Sequence, residues 1–99
     1  MKNLLMATAA IALTAGTAFA GGHAKEVKLG ILFGFTGPIE SLAPAMAQGA
    51  ELAMEEVSKS GKFLDSATVT PMRADTGCID NGLAVANAEK LIAEGVNGI

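Results

Sequence analysis

Val27-Lys28-Leu29-Gly30-Ile31-Leu32-Phe33-Gly34 is a short, nearly continuous apolar run closed by glycine. Such a run predicts a strand buried on both faces rather than one with a wet side. Residues 34–43 follow as a glycine-rich loop that holds Pro38. Pro44 suits a first helical turn, where its missing N–H is no loss. Residues 45–60 then carry Met46, Gly49, Ala50, Ala53 and Val57 at helical spacing, which predicts a small-to-medium apolar inner face. Glu51, Glu55 and Lys59, four residues apart, predict the polar face, with Glu55 and Lys59 an opposite-charge pair. Gly61 is a natural helix terminator.

Beyond it, residues 67–74 read as a second strand. Pro71 cannot donate to a ladder, so this strand belongs at the sheet edge. Asp75-Thr76-Gly77 ends the strand, and Asp80 is a good N-cap for a second helix running to about Glu94. Leu83, Ala86, Lys90 and Leu91 are expected on its inner side, Gly95 closes it, and Val96-Asn97-Gly98-Ile99 begins a third strand. The order strand, helix, strand, helix, strand predicts an α/β fold: a Rossmann-like parallel sheet with helices on both faces. Right-handed crossovers put the first strand in the centre, with the second and third on either side. A stop inside a third strand, together with a single unpaired cysteine, is read as the sign of a fragment.

Working back from the first strand, residues 21–26 are small and polar and read as a flexible leader. Residues 1–20 have the three-part layout of a secretory signal: Lys2 at the start, an apolar run over 4–15, and Ala18-Phe19-Ala20 with small residues at the positions a signal peptidase reads. The run is shorter than the roughly 20 residues of a membrane-spanning helix. Cleavage between Ala20 and Gly21 is expected, and with it a soluble periplasmic product. Gly21, not a cysteine, stands directly after that point, so nothing there would carry a lipid.

Without Lys2, six basic residues face ten acidic ones, a net charge of −4. The acidic residues are scattered, no basic stripe exists, and there is no Trp or Tyr to stack on a base or a sugar. Nucleic-acid and anionic-membrane binding are therefore excluded. Cys78, the one cysteine, stands in a chain bound for an oxidising compartment; it is either a buried inert thiol or has a partner beyond Ile99.

Gly30, Gly34 and Gly37 invite a dinucleotide-binding reading, but their spacing does not match G-x-G-x-x-G, and Gly37-Pro38-Ile39 lacks the lysine of a phosphate-binding loop. No cofactor is expected. For catalysis the single histidine lies in the leader, no serine occupies a nucleophile elbow, and Glu55-Glu56 do not converge on a helix. The chain does not read as an enzyme. What remains is the loop after the first strand, since ligands of open parallel sheets sit outside the carboxyl ends of the strands. At ten residues it exceeds what a bare connection needs.

Five motifs in order resemble one family. Lys28-Leu29-Gly30-Ile31-Leu32, Thr36-Gly37-Pro38, Gly49-Ala50-Glu51-Leu52-Ala53 with Glu55-Glu56-Val57, residues 75–80, and Ala84, Ala86, Ala88, Lys90-Leu91-Ile92 with Gly95-Val96 look like the opening of type I periplasmic binding proteins. The branched-chain amino-acid receptors of ABC transporters are the nearest group. The resemblance implies a two-lobed receptor several times longer, of which residues 27–99 would be the N-terminal part of the leucine-binding-protein-like domain.

It further implies that the loop after strand one lays a side chain over the ligand. That position falls at or near Leu42, with Ile39 and Ser41 beside it; many relatives carry an aromatic residue where Leu42 stands. Groups that hold the ligand's carboxylate and ammonium would come from later strands. Some members join a cysteine at the position of Cys78 to another just after strand three. Asn81-Gly82, where proline is common, and Ser58-Lys59-Ser60, where the helix end is usually asparagine-rich, are departures.

The expected function is thus a periplasmic solute-binding protein that binds an amino acid and delivers it to ABC permease subunits in the inner membrane, as a monomer when full length. An extracellular sensor domain of the same fold, or a fragment of an exported α/β hydrolase, are the alternatives. One further site is expected on chemistry alone. Cleavage after Ala20 would make Gly21, Gly22 and His23 the first three residues, whose amine, amides and imidazole can close around Cu(II) or Ni(II) in a plane. With no second shell, no physiological role is expected for it.

Overall fold

A computed structural model describes residues 25–99. The expected signal peptide, its cleavage point at Ala20 and Gly21, and the Gly21-Gly22-His23 site lie outside the described residues. The elements are β1 (Glu26–Phe33), α1 (Ala43–Ser60), β2 (Thr68–Asp75) and α2 (Asn81–Ala93). The first four elements come in the expected α/β order, a parallel sheet with crossover helices, but the expected third strand over residues 96–99 is present only as an isolated bridge, so the sheet has two strands.

β1 and β2 pair in parallel with Val27 opposite Val69 and Leu29 opposite Pro71. β1 starts one residue ahead of its apolar run because Glu26 pairs with Thr68 along the backbone and its carboxylate accepts a hydrogen bond from Thr70 Oγ1 at 2.7 Å. On the other side of β1, Gly30 N donates to Gly98 O at 2.8 Å and Asn97 N to Lys28 O at 2.7 Å. A parallel bridge joins Leu29 to Gly98. β1 is therefore central, as right-handed crossovers require. β2, with Pro71, borders only β1 among the described residues.

The helices cover opposite faces. On one, Leu91 of α2 sits where a side chain at position 30 would go: a Cβ there would lie 2.8 Å from Leu91 Cδ1. Glycine in mid-strand is explained by this close approach, not by a nucleotide. Leu91 is 2 % exposed and, with Ile31, Ala43, Ala47 and Ala67, makes up the buried apolar core of the described residues.

α1 begins at Ala43, two residues earlier than expected, with Pro44 in its first turn and Gly61 left-handed at its end (φ 64°). Of its expected inner face, Ala50, Ala53 and Val57 do turn toward Leu29 and Val69 of the sheet, without being closed over, while Met46 and Gly49 do not. Met46, Gly49, Ala53 and Val57 are exposed and only Ala50 is half-buried, whereas Ala43 and Ala47 are buried. Polar groups join the helix to the edge strand. Glu51 meets Arg73 of β2, and Ser58 Oγ accepts from Val69 N at 2.8 Å while donating to Met54 O. Ala50, Ala53, Met54 and Val57 are left facing Leu29, Phe63 and Val69 across an open apolar groove. Between α1 and β2 the chain makes a left-handed turn through Leu64, Asp65 and Ser66 (φ 39°, 57° and 69°).

In α2, Asp80 is the N-cap, its Oδ1 accepting from Leu83 N at 2.9 Å. Leu83 and Leu91 face inward as expected, but Ala86 and Lys90 are exposed. Asn87 takes the inner position instead, because its Nδ2 donates to Asp75 O at 2.7 Å. That rotation turns Lys90 toward water, where its ammonium lies 3.9 Å from Glu94. Gly95 closes the helix at φ 80°. Among the described residues no helix is long and apolar enough to cross a membrane.

Candidate functional site

Both strands end on the same side, so the loops after β1 and β2 meet at the carboxyl edge of the sheet, where parallel folds place ligands. Residues 34–42 are not a slack loop. Glu40 N donates to Gly37 O, and Leu42 N and Ala43 N both donate to Ile39 O, so consecutive turns run straight into α1. Ile39 is half-buried against Gly34, while Ser41 and Leu42 are exposed. Leu42 is 60 % exposed at the helix N-cap, a position its side chain cannot cap. The structure thus brings Ile39, Ser41 and Leu42 onto one short series of turns.

The second loop packs closely on the first. A Cβ on Gly37, whose φ is 90°, would lie 2.6 Å from Gly77 O. A Cβ on Gly34 would lie 2.9 Å from Cys78 Cβ. Neither position leaves room for a side chain. Cys78 is a free, exposed thiol in the left-handed region (φ 63°), its N–H donating to Thr76 Oγ1 at 3.0 Å. The buried, inert alternative for this cysteine is therefore corrected: the turn holds it at the surface.

Asp75, the last residue of β2, ties the loops together. Its Oδ1 accepts from Thr36 N at 3.1 Å and Gly77 N at 2.9 Å, and its Oδ2 accepts from Thr36 Oγ1 at 2.5 Å. These donors, the Thr36 hydroxyl foremost, hold its carboxyl below the ordinary value of 3.8. Sequence reading gave Asp75 only the role of ending a strand. Its carboxylate and Thr36 stand 39 residues apart, so no local pattern links them.

A second polar feature was also missed. Arg73 Nε and Nη2 grip Glu51 Oε1 and Oε2 at 2.6 and 2.7 Å, a bidentate pair between β2 and α1. The same guanidinium stacks 5.4 Å from the Phe35 ring centroid. Hydrogen bonding from Arg73 holds the Glu51 carboxyl below its ordinary 4.5, and Glu51 raises the Arg73 guanidinium in turn. Both groups are partly exposed, so the pair orients more than it stabilises. Glu51 is thus an anchor to the sheet, not part of a fully solvated face; Glu55 and Lys59 remain on that face as an exposed ion pair. Among the described residues no group of three or more His, Cys, Asp or Glu side chains could hold a metal ion.

The chain matches known proteins along its length. The profile of a family described as periplasmic binding protein matches residues 26–99. A Leu/Ile/Val-binding protein homolog 7 from Brucella abortus is 35 % identical over 100 residues, covering 100 % of this chain and 24 % of the relative. A Leu/Ile/Val-binding protein BraC3 from Rhizobium johnstonii is 27 % identical over 93 residues, covering 94 % and 25 %. A Leu/Ile/Val-binding protein homolog 3 from Brucella melitensis is 27 % identical over 96 residues, covering 97 % and 25 %. The chain spans about a quarter of the length of these relatives. The search of solved structures found no match.

Proposed function

Because this chain belongs to the periplasmic binding protein family, we propose that the protein of which it forms part is a solute-binding receptor for a branched-chain or similar amino acid. The observation that carries this reading is the family match over residues 26–99, which takes in every element that builds the loop edge. The relatives' names supply the ligand class. The family implies a location outside the cytoplasm, periplasmic or extracellular; export through a signal peptide cleaved after Ala20 is part of the proposal. So are delivery to ABC permease subunits and a monomeric state.

In this reading the receptor works by binding, not by chemistry. Ile39, Ser41 and Leu42 form one wall of a cleft, and a second lobe supplies the other. A ligand touching both walls in the closed form, and one in the open form, shifts the population toward closure by its differential affinity. Leu42 would offer an apolar contact where many relatives of the resembled group have an aromatic ring, which leaves more room for a branched side chain. Ser41 adds a hydroxyl beside it. Cys78, held at the surface next to the same loop, is proposed to form a disulfide with a cysteine after the third strand.

Isothermal titration of the full-length protein with leucine, isoleucine and valine, against glutamate and glucose, tests the reading. Saturable binding of at least one branched-chain amino acid is expected. Binding of none of the three would refute the ligand class.

A further inference from the structure

We propose that Asp75 is the positioning residue of the ligand-binding loop, holding residues 34–42 in place through Thr36; this rests on the reading of that loop as one wall of the ligand site. The argument begins with what is fixed. Asp75 O is held by Asn87 Nδ2 of α2 at 2.7 Å, and Thr76 N donates to Phe33 O at 2.9 Å. Asp75 also pairs with Phe33 in the sheet. Its backbone is therefore anchored to a helix and to the central strand, and its carboxylate starts from a rigid base.

The loop after β1 hangs from that carboxylate. Thr36 gives it both a backbone N–H and a hydroxyl. Hydrogen bonds to an ionised acceptor are the strong, directional kind. From Thr36 onward there is little slack: the turn closed by Glu40 N on Gly37 O leads to the turns on Ile39 O and then to Met46 N on Leu42 O, the opening of α1. A displacement at Thr36 is carried to Ile39 and Leu42. Gly37 against Gly77 O and Gly34 against Cys78 Cβ prevent the loop from settling closer. The carboxylate pulls the two loops together, and these contacts set the distance at which they stop.

The chemistry of the pair predicts an uneven response to substitution. In Asp75→Asn the side-chain oxygen can still accept from Thr36 N and Gly77 N, while the new amide N–H₂ donates to the Thr36 hydroxyl, which can turn to accept. The clasp survives with one bond reversed. In Asp75→Ala all three bonds vanish. Thr36→Ser keeps the hydroxyl, and Thr36→Val removes it at nearly constant shape.

The experiment uses the full-length protein, calorimetric titration with leucine, and amide hydrogen exchange on the ligand-free form. Asp75→Ala is expected to weaken leucine binding about tenfold or more, the scale of a lost charge-assisted hydrogen bond. Thr36→Val should act in the same direction by a smaller factor, and Asp75→Asn and Thr36→Ser should stay within about threefold of the parent. Exchange should rise across residues 36–42 in Asp75→Ala and not in β1. If Asp75→Ala does not fold, Thr36→Val carries both measurements. Parental affinity and unchanged exchange at 36–42 in Asp75→Ala and Thr36→Val would overturn the proposal. If the parent binds no branched-chain amino acid, the ligand reading fails separately, and the exchange comparison still decides the role of Asp75.

Discussion

Replacing Gly37 by alanine should destabilise the full-length protein much more than replacing Gly61, although both glycines have left-handed backbone (φ 90° and 64°). At Gly61 the added methyl meets only Ser66 Oγ, 3.8 Å away, so the cost is that of a left-handed L-residue, about 1–2 kcal/mol. At Gly37 the same conformational cost applies, and the methyl falls 2.6 Å from Gly77 O and 3.3 Å from its carbon. A backbone carbonyl cannot swing aside as a side-chain tip can. Relief must come from separating the two loops, which adds the about 1–3 kcal/mol typical of overpacking. The expected totals are about 1–2 kcal/mol for Gly61→Ala and about 2–5 kcal/mol for Gly37→Ala. Denaturant unfolding by circular dichroism, with slopes compared to exclude altered denatured states, reads both. Asparagine separates the causes, because it tolerates left-handed backbone but still has a Cβ. Gly61→Asn should recover part of the loss and Gly37→Asn should not. Equal costs at the two positions would refute the close-approach argument.

Leu42→Ala in the full-length protein should weaken amino-acid binding by about 1–3 kcal/mol, the scale of an apolar pocket contact, while the ligand-free melting temperature stays put because Leu42 is 60 % exposed. Unaltered affinity by calorimetry would make the loop purely structural. Thiol titration of periplasmic material should find Cys78 blocked until reductant is added; a freely reactive Cys78 would remove the proposed disulfide. The Asp75 carboxyl is depressed below 3.8, so the unfolded chain takes up its proton more readily than the folded one. Its contribution is complete above that value and fades as pH falls through 3.8 toward the folded one. The stability gap between the parent and Asp75→Asn should therefore narrow below about pH 4, and a constant gap on acid titration would argue against the carboxylate's role. One equivalent of Cu(II) added to mature protein near neutral pH should give the visible band of four planar nitrogens through Gly21-Gly22-His23. Survival of that band after acetylation of the amino terminus or in His23→Ala would dismiss the site.

The order of elements was legible because each boundary carries a local signal: Pro44 and Gly61 around α1, Asp80 and Gly95 around α2, Pro71 at the edge. The central place of β1 followed from the handedness of crossovers. The roll of α2 and the polar anchors of α1 were not legible. An apolar stripe marks an inner face only when apolar burial decides, and here Glu51, Ser58 and Asn87 are turned inward by Arg73, the Val69 amide and the Asp75 carbonyl. Those partners lie 22, 11 and 12 residues away, beyond any periodicity. For the same reason Ile39 and Leu42, within the loop, were named only from a resemblance, whereas Asp75, whose carboxylate accepts from Thr36, was not named. Three left-handed residues in a row at Leu64, Asp65 and Ser66 contain no glycine to announce them.

The central position of β1 also dictates an order of events. Among the described elements β1 is the first synthesised, yet its ladder with β2 cannot close until α1 has been made, and Lys28 meets Asn97 across 69 residues of chain. Contacts of such separation carry the largest loop-closure entropy and set the slow end of folding. The strand made first is therefore the last to have both its edges satisfied. Throughout that interval an apolar strand with two open edges is exposed to pairing with other chains. Lys28 is the one charge within its apolar run, and a charge is the kind of residue that discourages such pairing.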